Sequence, residues 1–118
     1  TRRSRIAQRF TAELADSGLV LPQVPDWAAP VWHLYVVRHP RRDALQRALA
    51  DQGVGTLIHY PIPPHLQQAY TAETYSRGAF PIAERIHDTV LSLPIGPHMT
   101  EAQVTTAVEA VKRLASVT

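Results

Sequence analysis

The chain has no cysteine, and it has one lysine, Lys112, against eleven arginines. The first absence excludes a disulfide framework, a thiolate nucleophile and Cys-ligated zinc, and it fits a reducing, cytosolic compartment. The second leaves one residue for any chemistry that needs a side-chain primary amine. Long apolar runs are missing as well, so no membrane span is expected. There is no glycine-rich phosphate loop, no GxSxG turn around Ser4, Ser17, Ser76, Ser92 or Ser116, and no HExxH helix. The chain opens on Thr1 rather than Met and without a signal segment, which is expected of a piece of a longer protein. No self-contained active site is visible.

What is present describes one globular core. The 118 residues are 45% hydrophobic and 19% charged, and ten prolines against five glycines predict stiff connections. The net charge of +2 is unevenly spread, because Arg2, Arg3, Arg5 and Arg9 crowd the start. They read as a solvated helix face. A nucleic-acid surface would carry more basic residues interleaved with aromatics, so no nucleic-acid partner is expected.

Spacing then assigns the elements. Residues 2–17 place Ile6, Phe10 and Leu14 four apart and end before Gly18, a candidate C-cap. The proline-rich segment 19–30 is a connector, and "VWHLYVV", 31–37, is a strand. Pro40 suits the first turn of a helix that carries Ala44, Leu45, Ala48 and Leu49 and ends at Gly53. "GTLIHY", 55–60, is a second strand, 65–78 a short helix and loop, "FPIAERIH" a helix opened by Pro81, and "TVLSLPI" a third strand. Thr100 and Gln103 match a capping box before a helix with Val104, Ala107, Val108 and Val111 facing the core. Three strands alternating with four helices, the short 65–78 segment aside, predict a small two-layer α/β sandwich.

Six histidines invite a metal reading, but His59 and His65 are separated by three prolines with no acidic residue near in sequence, so no metal site is expected. His87 and His98 read as surface residues, and His33 as a mid-strand histidine bonded to a backbone carbonyl. Glu73, Glu84, Glu101 and Glu109 read as solvated charges. The end of the second strand is different. In "HYPIPPH" a proline withholds its donor from the ladder and forces Tyr60 into extended geometry, so the chain must leave the sheet. His59 and Tyr60 then point to opposite faces. Either Tyr60 packs on the prolines while His59 meets a backbone carbonyl, or the strand exit is a rigid rim offering donors to a ligand.

"WHLYVVR", "LQRALADQGVGTLIHYPIPPHLQQAY" and "FPIAERIHDTVLSLPIGPHMTEAQV" together resemble the C-terminal domain of sugar aminotransferases of the DegT/DnrJ/EryC1/StrS family, over nearly the whole chain from about residue 30. The resemblance implies the small domain of the aspartate aminotransferase fold, with 1–29 as linking helix and connector and 30–118 as the α/β body. It implies a pyridoxal phosphate enzyme that converts a dTDP-linked 3-keto-6-deoxy sugar to an amino sugar with glutamate as donor. It also implies a homodimer. Such chemistry needs a Schiff-base lysine and an acidic partner for the pyridine nitrogen. Lys112 is poorly placed for the former, so no catalytic residue is expected in this chain. By the resemblance, cofactor and catalytic groups belong to a large N-terminal domain, the arginine-rich start would meet that domain, and the chain alone would be inactive. His59, Tyr60 and His65 map to substrate-binding positions, with roles in hydrogen bonding to the sugar or its diphosphate. The alternative is a stand-alone, non-catalytic binding domain with the same fold.

Overall fold

Ile6, Phe10 and Leu14 recur every four residues, and in the computed structural model, which describes residues 1–70 and 75–118, all three are buried against one core. Ile6 and Phe10 lie on α1 (Arg2–Glu13) and Leu14 is its C-cap. The helix is shorter than the 2–17 expected. Ser17 is buried and its hydroxyl donates to the Leu14 carbonyl at 2.6 Å, a local bond that competes with continued helix. Gly18 lies beyond that turn.

The connector leads to β1 (Tyr35–Arg38), which also starts later than expected. Trp32 has a φ of 54° and Val31 is exposed, so the apolar run 31–34 enters the sheet only at its end. β1 pairs antiparallel with β2 (Val90–Leu93), from Tyr35 opposite Leu93 to Arg38 opposite Val90. This register puts Tyr35, Val37, Leu91 and Leu93 on one face. The same core cluster takes the apolar stripes of α1, of α2 (Arg42–Asp51) and of α4 (Glu101–Ala115). Sheet and helices form the two layers of the expected α/β fold.

"GTLIHY" contributes one bridge rather than a full third strand. Leu57 exchanges both backbone hydrogen bonds with Ser92, at 3.2 and 2.7 Å, and no ladder follows. Beyond Leu57 the segment is held by side chains instead, described below. The two-stranded sheet carries a second bridge on its other side, Val20 to Arg38.

The helix ends follow local signals. α2 begins two residues after Pro40 and closes in a Schellman arrangement: Gly53, at a φ of 78°, donates to the Ala50 carbonyl, and Val54 to that of Leu49. α3 (Pro81–Thr89) has Pro81 in its first turn. Thr100 and Gln103 form the capping box of α4, with Gln103 N–H donating to Oγ1 at 3.2 Å and Thr100 N–H to Oε1 at 2.9 Å. Between the Leu57 bridge and α3, two single 3₁₀ turns span Pro64–Leu66 and Gln68–Tyr70. Glu73 and part of the expected 65–78 helix and loop lie outside the described residues.

The arginine cluster is less solvated than expected. Arg2 donates to the Met99 carbonyl, Arg3 to those of Trp32 and His33, and Arg9 reaches Glu13, Glu101 and Thr105. These arginines tie α1 to the start of α4 and to the connector. Among the described residues, no helix is long and apolar enough to cross a membrane.

Candidate functional site

The exit of the Leu57 bridge sets the site. His59 is half-buried, and its Nδ1 lies 2.8 Å from the Oγ of Ser92, itself buried on β2. Tyr60 turns outward and is 63% exposed. Their rings stand 5.4 Å apart and perpendicular. His59 thus meets a hydroxyl rather than a backbone carbonyl, and its Nε2 is left for another partner.

A cleft of about 680 Å³ opens beside it, between residues 53–57, the end of β2 and the first turns of α4. Its polar lining includes His33, His59, His98, Ser92, Gln103 and Thr106, and among the described residues it contains no lysine, arginine or carboxylate. The structure brings His33 and His98 to this cleft although neither was read as a site residue. His33 precedes the strand instead of sitting within it and is exposed. The exposed ring of His98 lies over Gly96, where any Cβ would come within 2.4 Å of Cε1.

His65 goes elsewhere. Its side chain is 8% exposed, its ring meets Phe80 edge-on at 4.8 Å, and its Nε2 lies 3.2 Å from Glu84 Oε2. Tyr60 does not line the cleft, and His65 is held away from it. The reason is Glu84, which is no solvated charge but 5% exposed. Its carboxylate accepts from Gly78 N–H at 2.8 and 3.0 Å and from Phe80 N–H at 3.0 Å. Because an ionised carboxylate only accepts, His65 must carry its proton on Nε2. The Gly78 N–H, followed by those of Phe80 and His65, holds the Glu84 carboxyl below the usual range against the opposing effect of burial.

His87 is also more engaged than a surface residue: it is half-buried, and its Nδ1–H donates to the Tyr60 carbonyl. His39 and Arg42 are two further buried polar residues. His39 accepts from Arg41 N–H at Nδ1 and donates from Nε2 to the Ala115 carbonyl. Arg42, 6% exposed, donates to the carbonyls of His87 and Val90 at 3.0 and 2.8 Å. Arg42 stands in register with Leu45 and Leu49 on the buried face of α2, and that spacing was the available signal.

The chain's own residues do not fit pyridoxal phosphate. Lys112 is exposed on α4, outside the cleft, and among the described residues the cleft offers neither an amine for a Schiff base nor an acid for a pyridine nitrogen. Among the described residues, no three His, Asp or Glu side chains gather as a metal site.

Comparison with known proteins converges on one family. The model of the DegT/DnrJ/EryC1/StrS aminotransferase family matches residues 1–112. The erythromycin biosynthesis sensory transduction protein EryC1 of Saccharopolyspora erythraea is 51% identical over 84% of this chain and 27% of its own length. The dTDP-3-amino-3,6-dideoxy-alpha-D-galactopyranose transaminase of Aneurinibacillus thermoaerophilus is 48% identical over 95% of this chain and 30% of its own. The crystal structure of S. venezuelae DesV in complex with a ketimine intermediate superposes with a TM-score of 0.93 at 43% identity, over 97% of this chain and 31% of that one. The chain thus spans about 30% of the length of the curated relatives it matches.

Proposed function

The chain belongs to the DegT/DnrJ/EryC1/StrS aminotransferase family, and from that premise we propose that it is the C-terminal small domain of an enzyme that transfers an amino group to C-3 of a dTDP-linked 3-keto-6-deoxy sugar. Pyridoxal phosphate is the cofactor of the full-length protein, glutamate the donor, and the large N-terminal domain supplies the lysine and dimerises. The observation that carries this reading is the cleft: among the described residues its lining offers hydrogen-bonding side chains and no lysine, arginine or carboxylate, as befits one wall of a site between domains. The names of the similar proteins support the sugar class.

In this reading the small domain binds and orients rather than transferring protons. Ser92 occupies His59 Nδ1, which aims the remaining ring nitrogen at the substrate, and the exposed Tyr60 phenol supplies a second donor for a sugar hydroxyl or the diphosphate. His65 serves behind them as support rather than as a contact.

The test uses the full-length enzyme. His59→Ala and Tyr60→Phe are each expected to raise the KM for the nucleotide sugar by about tenfold, the loss of a hydrogen bond of ~1.4 kcal/mol. The absorbance of the bound cofactor should not change. The isolated 118-residue chain should show no transamination when given cofactor, glutamate and keto sugar. A coding sequence that starts next to Thr1, with no lysine-bearing domain upstream, would instead favour a stand-alone binding domain.

A further inference from the structure

Three prolines make the arc from Pro61 to Pro64 stiff, but stiffness does not determine where the arc is held. One helix grips both of its ends. Glu84 and His87 lie three apart on α3 and so share a face. His87 holds the Tyr60 carbonyl, at the start of the arc, and Glu84 holds the His65 ring, at its finish. Glu84 also fixes the Gly78 and Phe80 amides that lead into the helix, while Arg77 stands 4.0 Å from its other oxygen. The helix itself is anchored from α2, where Arg42 takes the His87 and Val90 carbonyls.

Packing alone does not call for this arrangement. A buried carboxylate is unfavourable unless its oxygens are fully bonded, and an apolar side chain would fill the same space without that requirement. What the carboxylate adds is direction: it sets the position of His65 and, through α3, of the strand exit. We infer that Glu84 is a positioning residue for the sugar site, holding the His59–His65 arc so that His59 and Tyr60 present their donors at a fixed spacing. This inference rests on the substrate-binding role proposed for those two residues.

The test again uses the full-length enzyme, with the near-isosteric Glu84→Gln, the shortened Glu84→Asp and the milder His65→Gln. Hydrogen exchange of the Gly78 and Phe80 amides is read alongside steady-state kinetics in both substrates. In Glu84→Gln those amides are expected to exchange about tenfold faster, and the KM for the nucleotide sugar to rise about tenfold, while kcat and the KM for glutamate stay within about twofold. Glu84→Asp should recover part of both effects. If Glu84→Gln does not fold, His65→Gln is expected to give the same split at about threefold. Faster exchange with an unchanged sugar KM overturns the inference, as do unchanged exchange or equal losses for both substrates. If His59→Ala and Tyr60→Phe leave the sugar KM untouched, the site reading falls and the positioning role falls with it. If they raise it and the Glu84 and His65 variants do not, only the positioning role falls.

Discussion

Arg42 and Glu84 are buried charges, and each is kept by the backbone groups it satisfies. Replacing Arg42 with Ala leaves the His87 and Val90 carbonyls without their donor, and a loss of about 3 kcal/mol in urea denaturation is expected. Glu84 makes a different demand, because its folded pKa lies below its unfolded one. Its contribution is therefore fully present above the ordinary glutamate range and is lost as pH falls through the lower folded value. An acid titration of the melting temperature should show this loss in the wild type and a flatter profile in Glu84→Gln. These residues also mark where the sequence stopped being readable. The register of Arg42 with Leu45 and Leu49 was present in the sequence, but nothing local showed that Glu84 would meet His65 nineteen residues away. A carboxylate on an amphipathic helix reads as solvated until the loop that covers it is known. His59 and Tyr60 were conspicuous because proline follows them and because the family resemblance maps substrate contacts there, whereas Ser92, His33 and His98 joined the cleft through tertiary placement.

Helix boundaries were more legible than strands, because caps are local and pairing is not. The Thr100 and Gln103 pair and Pro81 all took their expected places, and Gly53 closes α2 just past its last turn. Thr100→Ala is expected to cost about 1 kcal/mol by leaving the Gln103 amide without its acceptor, measurable as a drop in denaturation midpoint. Gly53→Ala should cost about as much, since its Cβ meets no neighbour and only the positive φ opposes it. The strands behaved differently. Alternation in 31–37 and in 55–60 was real, yet only Tyr35–Arg38 found a continuous partner. Side-chain bonds from Ser92 and His87 took the rest of "GTLIHY" away from the ladder, and such long-range competitors leave no mark on local periodicity.

At the scale of the whole molecule, the sheet has two strands among the described residues, so each of them is an edge. Unpaired edges normally invite further chains to add on. Here Val20 covers one side and Leu57 the other, each with a single reciprocal pair of hydrogen bonds. Pro22 and Pro25 follow the first, and Pro61, Pro63 and Pro64 the second, so neither covering segment has the run of donors that a newcomer would need. The prolines that shape the candidate site, Pro61, Pro63 and Pro64, therefore also keep the segment beyond Leu57 from extending the sheet.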